Sequence, residues 1–390
     1  MIARLRLFII WDSIPMIFAY FVYKIHKSAQ NSQLNLHISK NYCTFAAESC
    51  KDIQIMINFS DIFSSFRKQH PLPIITTYND VTDWQEAQQY QTGGTREKCW
   101  LISPEDNSYY FFKVSIKKGV KDYPTEFWME IIASKVGQSL NLKVLDYNIA
   151  KRGESIGCIS KHMVDNEKYA LTELMHFLMG FEPAYNPEKD KEAYTIEFIY
   201  NTLKYFGLEQ YMSNFIDVVV FDCIIGNQDR HQENWGFITP VETRAQILSH
   251  DNTQVKESWK GSKVAPIYDS GSSLGRERTE DTIINMLRDP MQFEAYINRY
   301  KPEVRIRRGA KVSYDVFLNE LLNSEQYGKM TRQSIQQLTD AFDINKIRDI
   351  VMHIDDTLPD NCRDKGISDE RKQFVIKLMN DRVEKLKKLI

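Results

Sequence analysis

The sequence lacks the features that mark nucleic-acid-binding, disulfide-rich or disordered proteins. Its 50 basic and 52 acidic side chains leave a formal net charge of −2, so no overall positive charge favours nucleic acid. Glycine and proline are few, 16 and 12 among 390 residues, which argues against long disordered linkers. The six cysteines are scattered without a C-x-x-C pair, which favours a reducing compartment and gives zinc no obvious site. These absences predict a cytoplasmic globular protein.

One long apolar run stands out, at residues 5–23, with basic residues on both sides. Its length and flanks suit a membrane anchor or an uncleaved signal. Asp12 and Pro15 interrupt it, and a charged aspartate near the middle of a span costs roughly 2.5–3.5 kcal/mol. Three interpretations stay open: membrane contact through this run, an amphipathic appendage, or sequence upstream of a true start at Met56. Residues 28–66 are polar and weakly patterned, which predicts a linker.

Regular patterns begin at about Pro73. Two short runs rich in aromatic and β-branched residues, Leu101–Ser103 and Tyr109–Ile116, enclose a turn and predict a β-hairpin. A helix is predicted over about Thr125–Leu140, because its apolar residues recur on one face. Two further strands follow, at 144–150 and 156–160.

Helical spacing dominates beyond Met163. The predicted helical segments are 192–206, 209–225, 314–322, 334–342 and 370–390. One more strand pair is predicted there, at 235–239 and 264–268. Strands with one helix, followed by helices with one late strand pair, indicate an α+β fold. We therefore predict a small β-rich lobe over 67–163 and a larger helical lobe over 164–390, after an N-terminal segment and linker over 1–66.

The stretch 221–236, which reads FDCIIGNQDRHQENWG, carries the most chemical information. Asp229 and Asn234 lie five residues apart, the spacing of the protein-kinase catalytic loop. Phosphoryl transfer needs a carboxylate that orients the attacking hydroxyl and accepts its proton, and an amide oxygen that binds Mg²⁺. His231 lies between them and is predicted to orient the loop or a phosphate. Taken alone, the motif is also compatible with a capped turn that contains a salt bridge.

A second aspartate, Asp269, ends an apolar strand and precedes a glycine-containing turn. Kinases place their other Mg²⁺ ligand in this setting, in a D-F-G motif whose phenylalanine is missing here. Alone, an aspartate at such a position is more often a helix cap or a turn residue. Its place after the Asp229 loop in the chain favours the metal-binding interpretation.

The upstream candidates are a lysine, two glutamates and a glycine-rich turn. Lys113 lies within the aromatic strand YYFFKV, where an unpaired ammonium group would be costly to bury. Glu126 and Glu130 are four residues apart on one face of the next helix, and either could pair with it. Gly93-Gly94-Thr95 could present backbone N–H groups to phosphate. Separately, each has a simpler explanation, as an edge-strand lysine or a turn, but their order is that of a kinase.

These segments together resemble the HipA-like serine/threonine kinases in their shorter bacterial form. The resemblance covers roughly residues 75–320. The matching segments are GTREK at 94–98, FK at 112–113, TEFWMEIIAS at 125–134, GNQDRHQENWG at 226–236 and YDSGSSLG at 268–275.

The resemblance implies a two-lobed kinase fold with ATP in the cleft and Mg²⁺ on the phosphates. It implies Asp229 as catalytic base, with Asn234 and Asp269 on the metal. Lys113 would contact the phosphates, with Glu126 preferred as its partner. A hinge from Lys161 to Met163 would meet adenine through backbone groups. The expected partner is a protein substrate that the sequence does not name, with no nucleic acid, and delivery into a host cell stays open.

Two alternatives remain at this point. Phosphoinositide kinases use the same D-R-H-x-x-N order, although this chain lacks the large helical accessory regions usual in them. A kinase-like scaffold without turnover is the non-enzymatic alternative, and the presence of all the expected catalytic residues argues against it.

Overall fold

A computed structural model describes residues 34–38, 42–47, 54–58, 74–87, 98–118, 121–164, 168–248 and 261–390. The chain divides into two compact units, residues 1–73 and 74–390. No helix within the described ranges has the length and apolarity that a membrane span requires. The apolar run at 5–23 lies outside those ranges, so its predicted membrane contact stays a prediction.

The first unit contains a three-stranded antiparallel sheet in the order β1-β2-β3. Its strands are β1 (Leu34–Ile38), β2 (Tyr42–Ala47) and β3 (Gln54–Asn58). The prediction of a linker over 28–66 is therefore wrong for these strands. Apolar and polar residues alternate in LNLHI and QIMIN, which is the period of a strand. The many polar residues between and around the strands obscure that pattern.

The second unit begins with a six-stranded sheet in the order β4-β10-β11-β7-β6-β5. The strands up to the first helix are β4 (Tyr78–Asp80), β5 (Gln85–Glu86), β6 (Lys98–Ile102), β7 (Tyr109–Lys113) and the short pair β8 (Lys117–Lys118) and β9 (Lys121–Asp122). Helix α1 (Glu126–Ser139) precedes β10 (Tyr147–Arg152) and β11 (Ser155–Lys161). The predicted hairpin is β6–β7, and β10 and β11 are the two strands predicted after the helix, with bounds that differ by a few residues.

Helix α1 is buried on nearly all sides, with Gln138 its one residue that is not buried. A helix that is buried all round lies inside the molecule rather than on its surface. Its two glutamates are thereby carried into the interior, where each needs a partner. The indole Nε1 of Trp128 donates to the carbonyl of Lys365 at 3.0 Å, which ties α1 to the C-terminal part of the chain.

The rest of the chain is mainly helical, with one small antiparallel sheet in the order β12-β13-β14. Its elements are β12 (Tyr169–Glu173), α2 (Leu174–Phe181), α3 (Ile196–Tyr205), α4 (Met212–Ile225), β13 (Gly236–Pro240), α5 (Val241–Leu248), β14 (Lys263–Val264), α6 (Glu280–Arg288), α7 (Pro290–Asn298), α8 (Tyr314–Leu322), α9 (Gly328–Ala341), α10 (Ile344–Met352) and α11 (Asp369–Lys387). Strand β12 was not predicted, because its residues YALTE carry no clear alternation of apolar and polar positions.

Helix α4 lies at the centre of the hydrophobic core and ends where the candidate site begins. Most of its side chains are buried, among them Val220, Phe221, Ile224 and Ile225. Gly226 caps the helix in the left-handed region, at φ 67°, which a residue with a Cβ adopts only at a cost. The cap turns the chain sharply into the loop that leads to β13.

A substitution at Gly157 in β11 tests how closely β11 approaches Lys113 in the neighbouring strand β7. A Cβ at Gly157 would lie 2.2 Å from the Lys113 carbonyl oxygen, so Gly157→Ala must displace β7. We expect the free energy of unfolding to fall by about 3 kcal/mol, the upper range for overpacking, because backbone cannot rotate away. Gly153→Ala is the control: a Cβ there meets nothing within 4 Å, and only its φ of 57° costs about 1 kcal/mol. Equal losses in chemical denaturation would contradict the close approach.

Candidate active site

The loop between α4 and β13 is held to the end of α4 by Asn227. The Asn227 amide donates to Asp222 Oδ1 at 3.0 Å, and its Oδ1 accepts the backbone N–H of Asp229 at 3.1 Å. Tyr314 donates its hydroxyl to the Asn227 carbonyl at 2.7 Å. The backbone of Asp229 is therefore held in place by these hydrogen bonds.

Arg230 is the centre of this loop and is only 4% exposed. Its guanidinium donates to both carboxylate oxygens of Asp222, Nε to Oδ2 at 2.9 Å and Nη2 to Oδ1 at 3.0 Å. It also donates to the carbonyl of Asn234 at 2.9 Å, to the carbonyl of Tyr268, and to Ser270 Oγ at 2.9 Å. Burial alone would lower the pKa of Arg230, but the charge of Asp222 raises it above its ordinary value. Arg230 therefore joins the Asn234 and Asp269 segments.

The sequence analysis assigned no role to Arg230 or Asp222. A signal was present, because Asp222 interrupts the apolar run VVVFDCII of α4. A carboxylate inside such a helix needs a cationic partner. The nearest cation that follows it in the chain is Arg230.

Lys113, at the end of β7, lies between two carboxylates. It is 5% exposed, and its Nζ contacts Glu130 Oε2 and lies 3.0 Å from Asp269 Oδ1. Burial alone would lower the pKa of Lys113, but the charges of Asp269 and Glu130 raise it well above its ordinary value. The lysine is therefore held charged, and Asp269, which is 156 residues further along the chain, is one of the groups that hold it.

Glu130 also holds the loop after Asp269. Its Oε1 accepts the backbone N–H of Ser270 at 2.8 Å, and its Oε2 accepts that of Gly271 at 3.0 Å. The carboxylate is 1% exposed, so these hydrogen bonds replace its lost hydration.

The preference for Glu126 as the partner of Lys113 is wrong, because Glu130 occupies that position. Glu126 instead accepts the backbone N–H of Ile116 at 3.0 Å and forms an ion pair with Arg276. The two glutamates share a helix face but are about 6 Å apart along the axis, at 1.5 Å per residue. Only Glu130 lies level with Lys113.

Asn234 folds back onto the loop. Its amide Nδ2 donates to the carbonyl of Asp229 at 2.8 Å and lies 3.2 Å from Nε2 of His231. Because the NH₂ end faces these loop groups, the amide oxygen is the end of the side chain oriented for a cation. His231 Nδ1 in turn lies 3.3 Å from the backbone N of Glu233, so the imidazole belongs to the hydrogen bonds of this loop.

Asp269 has a backbone conformation that is uncommon for residues other than glycine. Its φ is 52°, in the left-handed region, where a residue other than glycine is disfavoured. Glu130 fixes the two N–H groups that follow it, and Leu274 donates its N–H to the carbonyl of Ile225 at 2.9 Å. Strained residues of this kind persist where surrounding contacts hold them, and they concentrate at functional sites.

The donor set fits Mg²⁺ shared with phosphates. Among the residues that the structure describes, no group of three or more His, Cys, Asp or Glu side chains could hold a metal. Asn234 and Asp269 could supply two hard oxygen ligands, and Arg230 donates to the backbone carbonyl of Asn234 and to that of Tyr268, next to Asp269. Mg²⁺ characteristically takes one or two carboxylates and completes its shell with phosphate and water.

For the remaining predicted site residues, the structure gives no contact with the groups above, or the residues lie outside the described ranges. Gly93, Gly94 and Thr95 lie outside them, so their contact with phosphate stays a prediction. The Nζ of Lys161 pairs with Asp106 at 3.1 Å, and the contact of the Lys161 backbone with adenine stays a prediction. Met163 is half-buried just beyond β11, and its contact with adenine also stays a prediction.

Comparison with known proteins identifies a family and a fold. A family model described as the HipA-like C-terminal domain matches residues 90–308. The serine/threonine-protein kinase CtkA of Helicobacter pylori (strain J99) is 21% identical over 285 residues, which cover 72% of this chain and 78% of that protein. The crystal structure of the H. pylori proinflammatory kinase CtkA superimposes with a TM-score of 0.64 at 21% identity, over 80% of this chain and 96% of that one. The superposition confirms the predicted two-lobed, kinase-like α+β fold.

Arg230 is expected to be indispensable for stability. Arg230→Met leaves Asp222 buried without a counter-charge, which typically costs about 3–5 kcal/mol in the free energy of unfolding. Arg307→Met is the control, because Arg307 also pairs with a carboxylate, that of Glu320 at 2.8 Å, but is 75% exposed. Such surface pairs contribute about 0–1 kcal/mol. Chemical denaturation of both variants measures the difference, and similar losses would contradict the central role of Arg230.

Proposed function

The chain belongs to the HipA-like C-terminal domain family, and we propose that it is a serine/threonine protein kinase that uses ATP and Mg²⁺. The family model spans more than half of the chain and contains the sheet lysine, the α1 glutamates, the Asp229 loop and Asp269. The fold shared with CtkA supports the proposal, because the candidate residues lie in a fold known to host a kinase.

One observation carries the proposal: residues far apart in sequence converge through two buried groups. Arg230 joins the backbone at Asn234 to the backbone beside Asp269. Glu130 joins Lys113 to the loop that follows Asp269. A lysine, two metal-binding oxygens and a carboxylate base are the parts that phosphoryl transfer requires. A structural salt-bridge network would not need Asp229 and Asn234 on the same short loop.

Each side chain has a distinct task in this proposal. Asp229 orients the hydroxyl of the protein substrate and accepts its proton. Lys113 binds the phosphates of ATP from beneath the sheet, while Glu130 fixes its position. Asn234 and Asp269 would hold Mg²⁺, which when bound neutralises charge on the phosphate oxygens. His231 orders the loop between the base and Asn234.

The partners in this proposal are ATP and a protein whose identity depends on surfaces around the cleft. Nucleic acid is not expected as a partner, because the net charge of −2 supplies no overall attraction for phosphate backbones.

The decisive experiment incubates the purified chain with γ-labelled ATP and Mg²⁺, in separate reactions with casein and with phosphoinositide vesicles. Label on serine or threonine of protein, absent for Asp229→Asn, is the expected result. Label on lipid alone would show a phosphoinositide-type kinase instead. No transfer to any acceptor, from a chain that is folded and binds ATP, would show a kinase-like scaffold.

Asp229 and Asp269 should fail in different ways. Asp229→Asn removes proton acceptance and should slow turnover by about 10²–10⁴-fold. Its affinity for Mg·ATP should stay near that of the wild type, because Asp229 contacts the acceptor rather than the nucleotide. Asp269→Asn removes a metal ligand, so it should abolish turnover and also weaken Mg²⁺-dependent ATP binding.

Calorimetric titration of both variants with ATP, with and without Mg²⁺, makes the comparison. If Asp269→Asn binds Mg·ATP like the wild type while Asp229→Asn does not, the two roles are reversed or Asp269 is structural.

The two glutamates of α1 should also differ. Glu130→Gln keeps the shape of the side chain but removes the charge that faces Lys113 and two backbone N–H groups. Loss of hydrogen bonds to a charged group, about 1.5–3 kcal/mol, predicts a fall in Mg·ATP affinity of roughly 10–100-fold. Glu126→Gln should lower that affinity less than Glu130→Gln does, because Glu126 pairs with Arg276 rather than with Lys113. The same titration tests this, and the reverse ranking would overturn the assignment.

A further inference from the structure

Three serines follow Asp269, and their hydroxyl groups have different surroundings. Ser270 Oγ is buried and accepts a hydrogen bond from Arg230 at 2.9 Å. Ser273 Oγ is buried, and the structure gives it no hydrogen-bond partner. Ser272 is half-buried, and its Oγ donates to Asp229 Oδ2 at 3.1 Å. Of the three, Ser272 alone contacts the carboxylate proposed as the catalytic base.

That contact has the geometry required of an acceptor hydroxyl. A general base must lie about 2.6–3.2 Å from the oxygen whose proton it takes. Ser272 Oγ meets this condition and lies three residues from Asp269, the proposed ligand of the metal that holds the phosphates. The hydroxyl of Ser272 therefore occupies the place that the hydroxyl of a protein substrate would take.

The backbone on both sides of Ser272 is held by hydrogen bonds to other residues of its own chain. Gly271 donates its N–H to Glu130 Oε2 at 3.0 Å, and Leu274 donates its N–H to the carbonyl of Ile225 at 2.9 Å. A serine held between two such contacts cannot reach the active site of a second molecule without breaking them. Its natural base is Asp229 of its own chain.

From this geometry we infer that Ser272 is a self-phosphorylation site, modified within one molecule by its own Asp229. The inference rests on the proposed kinase function. The Ser272 Oγ–Pγ bond forms while the bond from Pγ to the β,γ-bridging oxygen of ATP breaks. The Ser272 proton passes to Asp229 and then to solvent, and ADP leaves with the bonding electron pair.

Such a modification would limit the enzyme's own activity. Phosphoserine carries a charge of about −1.5 to −2 at neutral pH. Next to the Asp229 carboxylate, that charge repels the base and fills the acceptor position. A molecule phosphorylated on Ser272 should therefore transfer phosphate to other proteins at least about 10-fold more slowly.

The test starts from full-length protein freed of phosphate by a phosphatase that is then removed. The chain is incubated with Mg²⁺ and γ-labelled ATP at several protein concentrations, and phosphopeptides are mapped by mass spectrometry. Casein phosphorylation is measured in parallel, before and after self-phosphorylation. Ser273→Ala is the matched control, because it removes a hydroxyl from the same loop that has no contact with Asp229. Ser272→Ala and Asp229→Asn are the test variants.

The expected result is label on Ser272 in the wild type and in Ser273→Ala, and its loss in Ser272→Ala and Asp229→Asn. The rate of Ser272 phosphorylation per molecule should not change with protein concentration. The rate of casein phosphorylation should fall as the phosphorylated fraction of Ser272 rises. Casein phosphorylation without any label on Ser272, or a rate per molecule that rises with concentration, would overturn the inference and leave the proposed function standing. No transfer to Ser272, to casein or to lipid would instead refute the proposed function.

Discussion

Arg230 lies almost entirely out of water, and its guanidinium is shared among a helix, a loop and the segment that carries Asp269, a proposed metal ligand. An unpaired charge at such a position would cost many kcal/mol, so the arrangement exists only because each donor finds an acceptor. Asp222 on α4 accepts hydrogen bonds from the guanidinium, and the carbonyls of Asn234 and Tyr268 and the hydroxyl of Ser270 accept the others. The positions of both proposed Mg²⁺ ligands therefore depend on a side chain that would touch neither metal nor nucleotide.

The sequence was sufficient where a structure is local. The hairpin β6–β7, the helix α1 and the long C-terminal helix follow from periodicity and turn residues, so their approximate bounds could be predicted. The sequence was insufficient where pairing between distant segments determines the structure. Strand β12 is stabilised by β13 beside it. Strands β1–β3 pair with one another within a segment whose composition is largely polar. Such strands are stabilised by partners that a linear pattern does not show.

The same distinction holds in the site. The spacing of Asp229 and Asn234 identified the loop, but the choice between Glu126 and Glu130 depends on which turn of α1 is level with the end of β7. The turn of α1 that lies beside Lys113 is determined by how the helix packs on the sheet. The four-residue spacing of the glutamates does not contain that information. The left-handed conformation of Asp269 is likewise held by tertiary contacts: aspartate adopts it more readily than most residues other than glycine, but its residue type alone does not specify it.

The carboxylate of Glu130 couples two parts of the site, because it binds both Lys113 and the loop after Asp269. Its Oε2 contacts the ammonium of Lys113 and also accepts the N–H of Gly271, while Oε1 accepts the N–H of Ser270. A shift of α1 would therefore separate the lysine from its partner and release the loop after Asp269 in one step. The contact between Ser272 and Asp229 lies within that loop, so it would be lost together with them. In the proposed kinase, the groups for phosphate binding, for metal binding and for the position beside the base are thus coupled through the placement of a single helix. Residues that each served only one of these tasks would not produce that coupling.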